Sequence, residues 1–182
     1  MELAANAYAH DRYEQALREV RAVVDVAPSS ATVRELYGLT LYRLGRWREA
    51  ARQLEELHRL TGSFDQHPVI ADCHRAMGHH RRVEAIYDEL RRSSPSPDVL
   101  VEGRLVLAGT KADRGDLAGA IEVLAPAPSV AHPAQRHLRL WYALADIYER
   151  AGDVSRAREY FLRIVRHDPD SYDAAERLVA LT

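Results

Sequence analysis

The sequence predicts an all-α fold, an array of antiparallel helix pairs stacked end to end. Three observations lead there. Turn-forming residues recur at Asp11, Gly45, Gly78, Gly115 and Gly152, spaced by 34, 33, 37 and 37 residues. Small and apolar residues fall at the same offsets around all five turns. A helix terminator follows each turn seventeen or eighteen residues later, at Pro28, Gly62, Pro95, Pro133 and Pro169. A repeat period of this size marks chains whose helix pairs bury their apolar faces against the neighbouring pairs.

Each anchor ends one helical pattern and precedes the next by two residues, the place of a left-handed C-cap, which glycine fills without steric cost. Asp11 stands in for glycine at the first turn. Seven residues before the anchors lie Ala4, Gly38, Ala71, Ala108 and Ala145, small enough for two helices to cross closely. Five residues after lie Ala16, Ala50, Val83, Ala120 and Ala157, and nine after lie Val20, Leu54, Tyr87, Leu124 and Phe161. These form the buried stripe of the second helix in each pair. Two residues after, Tyr13, Trp47, His80, Leu117 and Val154 are apolar in four cases of five.

From the N-terminus, helices are expected near 2–9 and 12–25 in a repeat near 1–30, and near 31–44 and 47–60 in a repeat near 31–63. The next repeats, near 64–97, 98–134 and 135–169, hold helices near 66–77 and 80–92, 98–114 and 117–125, and 134–151 and 154–167. A capping helix near 171–181 closes the array, with Asp170 and Ser171 as its cap and Asp173, Glu176 and Arg177 as a polar side. The proline-rich stretches 93–98 and 125–133 read as turns between repeats rather than domain linkers, so residues 1–182 read as a single solenoid. Counting back one repeat from Ala31 puts the proper start of the first helix before Met1. That leaves Leu3, Ala4 and Ala7 as an exposed apolar edge, and self-association there, or a longer native chain, is expected.

Hydrophobic residues make up 47% of the chain and charged residues 29%, enough for a core and far from the composition of disorder. The 25 basic residues against 27 acidic ones leave a net charge of −2, without the basic excess that duplex DNA or an anionic membrane requires. Cys73 is the only cysteine, so no intrachain disulfide can form. No basic segment followed by an apolar run opens the chain, and nothing approaches the roughly 18 apolar residues of a membrane span. A soluble, cytoplasmic, bacterial protein is expected, the last because all the bases but Lys111 are arginine.

The small, small, aromatic and proline positions, in this order over about 34 residues, resemble the tetratricopeptide repeat. WYALADIYERAGDVSRAREYFLRIVRHDP, Trp141 to Pro169, is close to the family consensus throughout. Repeats three and four depart from it, with His67 and Arg104 at the place of Trp141 and Lys111 at the place of Tyr148. VRELYGLTLYRLGRWREAARQLEELHRLTG, with ADCHRAMG after it, is further similar to small repeat proteins of high-GC Gram-positive bacteria, a group that brings no activity with it. The resemblance implies a right-handed superhelical solenoid whose first helices line a concave groove. It therefore implies an interaction scaffold that holds a peptide or helix of a partner protein.

On that arrangement, residues ten, six and three before each anchor face the groove. They are Glu35, Leu39 and Tyr42; Pro68, Asp72 and Arg75; Leu105, Gly109 and Ala112; and Tyr142, Asp146 and Glu149, joined by Tyr8. Tyrosine buries much area at small entropic cost and keeps a polar end, which suits such a surface, although Tyr42 and Tyr142 could equally pack between repeats. Acidic residues outnumber Arg75, so a ligand with basic character fits. Family members that grip a C-terminal carboxylate use a clamp of lysines and asparagines. Here the asparagine positions hold Leu39, Asp72, Gly109 and Asp146, and no asparagine follows Asn6.

Other constellations carry less. His67, Cys73, His74, His79 and His80 gather in one repeat, but His74 and His79 are five apart across a turn rather than the four that set two imidazoles on one helix face. They read as semi-buried packing residues, and no metal or other cofactor is expected. Cys73 and His74 are adjacent on a helix and point about 100° apart, so they do not make a nucleophile and its base. No phosphate loop or nucleophile elbow occurs, and no enzymatic activity is expected. Arg43, Arg46, Arg48 and Arg52, with Arg81, Arg82, Arg91 and Arg92, form strips that read as solvated faces paired with Glu49, Glu55, Glu56, Glu84 and Glu89. Their alternative is RNA binding. Trp47 sits at a packing offset.

Overall fold

The computed structural model describes residues 1–93, 95–125, 127 and 129–181. Among these, eleven helices and no strands form two compact units, Met1–Val99 and Leu100–Thr182. The first holds α1 (Glu2–Ala9), α2 (Tyr13–Val24), α3 (Ala31–Arg43), α4 (Trp47–Thr61), α5 (His67–Ala76) and α6 (His80–Ser93). The second holds α7 (Pro97–Asp113) from Leu100 onward, α8 (Leu117–Leu124), α9 (Gln135–Arg150), α10 (Val154–His167) and α11 (Ala174–Ala180).

All five anchor turns close in the same way. The anchor residue has positive φ in every case: Asp11 at 57°, Gly45 at 71°, Gly78 at 73°, Gly115 at 80° and Gly152 at 78°. The amide after the anchor then donates back to the carbonyl four residues before it. These bonds are Arg12 to Ala7, Arg46 to Leu41, His79 to His74, Asp116 to Lys111 and Asp153 to Tyr148, at 2.9–3.0 Å. This is the six-to-one bond of a Schellman ending, and it returns the chain antiparallel within three residues.

In the first unit the expected buried positions are buried: Ala4, Ala16 and Val20; Gly38, Ala50 and Leu54; Ala71 and Val83. Tyr87 is half-buried. Gly38 marks the tightest crossing, since a Cβ there would stand 2.5 Å from Leu54 Cδ2 on α4. At the N-terminal edge the expectation is corrected. Ala4 and Ala7 are fully buried under α2 and α3, and Leu3 alone of the three is exposed, at 67%.

The core of the second unit gathers Leu124, Leu138, Trp141, Leu144, Phe161 and Ile164 from α8, α9 and α10. Full burial of side chains this size is worth roughly 1.5–3 kcal/mol each. Arg104, at the place of Trp141 in its repeat, takes another role. Its guanidinium donates to Val123 O at 3.0 and 3.1 Å and to Leu124 O at 2.6 Å, satisfying carbonyls at the end of the short helix α8. The terminal helix starts three residues later than expected. Ser171 is buried and does not cap it, and its N-cap Asp173 makes no side-chain capping bond.

Candidate protein-binding faces

The first helices of the pairs in the first unit, α1, α3 and α5, carry the expected groove residues. Tyr8, Glu35, Leu39, Tyr42, Asp72 and Arg75 are all half-buried, whereas Pro68 is buried. Its side chain sits at the N-terminal turn of α5, where proline suits the helix start but serves the core. Two hydrogen bonds tie α3 to α5. Gln66 Nε2 donates to Glu35 Oε1 at 2.8 Å, and Tyr42 Oη donates to Asp72 Oδ2 at 2.6 Å. Arg75 Nε donates to the other oxygen of Asp72 at 2.8 Å, one turn along the same helix. Burial, and then the bond to Asp72, push the Tyr42 phenol well above its ordinary pKa, so it stays a proton donor.

The two tyrosines three residues before their anchors also pack in a shared way. Tyr8 meets Tyr13 edge to face at 5.4 Å, and Tyr42 meets Trp47 edge to face at 5.3 Å. Each pair bridges its own turn. Arg43 joins the first pair from α3, lying 5.0 Å over the Tyr13 ring and donating to its hydroxyl from Nε at 2.8 Å, while the Tyr13 hydroxyl donates to Asp11. These aromatics therefore serve the turns with one edge and leave the other on the helix face.

In the second unit Leu105 is half-buried against the core, Gly109 is half-buried and Ala112 is buried, so Ala112 belongs to the interior and not to a groove. Tyr142, Asp146 and Glu149 do line one place on α9, and it is filled by Arg177 of α11. Arg177 Nη2 donates to Asp146 Oδ1 at 2.9 Å and to Glu149 Oε2 at 2.7 Å, Nε adds a bond to Glu149 at 3.1 Å, and Nη1 donates to Tyr142 Oη at 3.1 Å. The guanidinium also stands 4.7 Å over the Phe161 ring and 5.5 Å over Tyr142. Tyr142 in turn donates to Asp173 Oδ1 at 2.7 Å and packs on Tyr172 at 4.6 Å. The sequence places Arg177 on an outer polar side; the structure turns it inward, with only 21% of its side chain exposed.

Among the described residues no group of three or more histidine, cysteine or acidic side chains could hold an ion. His74 and His79 meet across the turn, Nδ1 to Nδ1 at 3.3 Å, and His74 reaches Glu55 at 3.5 Å. His67 is 4% exposed and lies with its ring 4.5 Å from both His58 and Phe64. It lines a cavity of about 280 Å³ whose charged groups, Glu55, Arg82 and Glu89, largely satisfy one another at 3.8 and 3.4 Å. The Cys73 thiol is buried and pushed up to about 12 by that burial, which leaves no thiolate for nucleophilic chemistry. Of the arginine strips, Arg46 pairs with Glu49 and Arg82 with Glu55 and Glu89, while Arg43 turns to Asp11 and Tyr13. No helix among the described residues is long and apolar enough to cross a membrane.

A family model described as tetratricopeptide repeat matches residues 1–63, and a second of the same description matches residues 138–181. No relative among curated sequences matches. Solved structures match over nearly the whole chain. A thermophilic TPR protein of Thermus thermophilus, TTC0263, has 17% identity, covering 99% of this chain and 95% of its own, with a TM-score of 0.73. A Podospora anserina kinesin light chain protein with nearly identical TPR-like repeats has 15% identity, covering 94% and 95%, with a TM-score of 0.67. YrrB, a TPR protein with an unusual peptide-binding site, has 16% identity, covering 96% and 87%, with a TM-score of 0.54.

Proposed function

Because the chain belongs to the tetratricopeptide-repeat family, whose architecture suits protein–protein interaction, we propose that it is a scaffold that binds a peptide or helix of a partner on the first-helix face of its first unit. One observation carries this reading. Glu35, Leu39, Tyr42, Asp72 and Arg75 are held in register across α3 and α5 by the Gln66–Glu35 and Tyr42–Asp72 bonds, yet remain half-buried. Side chains fixed before binding lose little further entropy on contact. Leu39 supplies the apolar contact, and Tyr42 and Tyr8 supply aromatic edges. Asp72 and Glu35 against Arg75 leave one carboxylate in excess, which favours a ligand with some basic character.

A peptide array of basic-apolar, acidic-apolar and neutral sequences, probed with the purified chain, tests this. Basic-apolar peptides should be retained, and a chain carrying Leu39→Glu and Glu35→Lys with an unchanged melting temperature should bind them at least about tenfold more weakly. Equal retention of all peptides by both proteins would remove the reading.

A second reading, self-association at the N-terminal edge, has the exposure of Leu3 (67%) and Met1 (40%) in its favour. Light scattering on the wild type and Leu3→Glu decides it. A mass that is monomeric at high concentration in both counts against it.

A further inference from the structure

Helix α11 is held in an unusual way for a terminal helix. Of its seven residues only Ala174 is fully buried, and Val179 is 75% exposed. Leu178 and Leu181 contribute partial burial, and Arg158 donates to the Leu178 and Leu181 carbonyls at 3.5 and 2.9 Å. The best-satisfied link between α11 and α9 is a single side chain, Arg177. A seven-residue helix is too short to be stable by itself. Its N-cap carboxylate is diverted to the Tyr142 hydroxyl and makes no capping bond. The residue before that cap, Tyr172, has φ of +57°, a strained conformation for a bulky L-residue. These features put α11 at the low end of local stability.

What receives Arg177 is, by contrast, well built. Two carboxylates and a phenol oxygen meet the three guanidinium nitrogens, and two aromatic faces flank its plane. Planar, forked and flanked recognition of this kind selects arginine over lysine. The two carboxylates, Asp146 and Glu149, exceed the charge of the one arginine they share, although Arg150 adds a looser contact to Asp146 at 3.8 Å. The site therefore keeps its attraction for a guanidinium whichever chain supplies it.

We propose that Tyr142, Asp146, Glu149 and Phe161 form a guanidinium-recognition site, that α11 occupies it in cis through Arg177, and that its ligand in trans is an arginine carried on a short segment of a partner protein. This extends the reading of the first-helix faces as binding surfaces to the second unit and names the partner's chemistry there. Binding in trans exchanges one arginine for another, so the guanidinium bonds to Tyr142, Asp146 and Glu149 are kept, while the Tyr142–Asp173 bond and the Arg158 bonds to α11 are given up and the strain at Tyr172 is relieved. The tethered α11 competes through its high effective concentration, which makes the free site available only to a partner that offers more contacts than α11 does.

The test uses the full chain and a fluorescent peptide of residues 168–181. Anisotropy is read with wild type, Arg177→Ala and Arg177→Lys, and with a second peptide in which the arginine is alanine. The Arg177→Ala chain should bind the arginine peptide about tenfold or more tightly than the wild type does, with Arg177→Lys between them. The alanine peptide should not bind, and arginine amide should compete. Equal binding of the two peptides, or no binding to a folded Arg177→Ala chain, overturns the proposal. Loss of folding in both variants overturns it too, because α11 would then be part of the core. The face of the first unit is untouched in these chains, so the peptide-array result with Leu39→Glu and Glu35→Lys stands or falls separately.

Discussion

Replacing His67 by phenylalanine should remove its share of the pH dependence of stability that the wild type shows between pH 7 and pH 5. Burial is the main cause, with His58 nearby adding to it against the opposing Glu89, and it pushes the His67 imidazole down to about 4 from an ordinary value of 6.5. The folded protein thus refuses a proton that the unfolded chain accepts, and stability falls as pH drops below 6.5, levelling off only below 4. For one such group the loss between pH 7 and pH 5 is about 2 kcal/mol, from a slope that approaches 1.36 kcal/mol per pH unit. Carboxylates with lowered values, such as Glu56 and Asp116, act at lower pH and do not enter this window. His74 is shifted in the same direction by burial, but it is present in both proteins and cancels. His67 Nδ1 is buried with no hydrogen-bond partner among the described residues, so phenylalanine, of similar shape, should cost little at pH 7. Urea melts at pH 7 and pH 5, with the m-value checked for constancy, measure the difference. If His67→Phe loses as much stability on acidification as the wild type, His67 is not the group that couples folding to protons.

Further outcomes follow from single contacts. Gly38→Ala should destabilise the first unit by about 1–3 kcal/mol despite alanine's better helix propensity, because its Cβ would enter Leu54, which is fully buried; thermal melts read this. Asp11→Gly should stabilise by a few tenths of a kcal/mol up to about 1, since φ of 57° is free for glycine and the exposed pair with Arg43 is worth little. Arg104→Met should cost about 1–3 kcal/mol by leaving carbonyls at the end of α8 without their donor, and amide hydrogen exchange in α8 should accelerate first.

The turns and the core were legible in the sequence because both rest on local properties. A left-handed cap needs glycine or a short polar residue, and Asp11 meets that need as the four glycines do. A close helix crossing needs a small residue, which Gly38 and Ala145 supply. The sides of the first helices were less legible. Offsets ten and three before the anchors assign Pro68 and Ala112 to a groove, but proline at the start of α5 and alanine within the core cluster of the second unit are buried. The partners of the acids were not legible at all. Asp146 and Glu149 are met by a residue some thirty positions away, and Arg177 on a short polar-looking helix gives no local sign that it turns inward. Spacing does hold one clue that composition lacks: aromatics five residues apart across an anchor, Tyr8 with Tyr13 and Tyr42 with Trp47, are placed to pack on each other.

The two units use the same chemistry with different reversibility. In the first, the tyrosine–carboxylate pair Tyr42–Asp72 is compensated by Arg75, one turn further along the helix that carries Asp72. Arginine and acid share a helix, so Arg75 stays within reach of Asp72 whatever binds and can at most swing aside by a side-chain rotation. Recognition there must add to what is present, through Leu39, Glu35 and the tyrosine edges. In the second, Tyr142, Asp146 and Glu149 are compensated by an arginine on a separate short helix joined through a residue with positive φ. That compensation can leave with its helix. A fixed counter-charge makes a surface whose affinity is set once, whereas a removable one makes a surface whose affinity depends on what α11 is doing. The position of the arginine along the chain, rather than the composition of the face, separates the two.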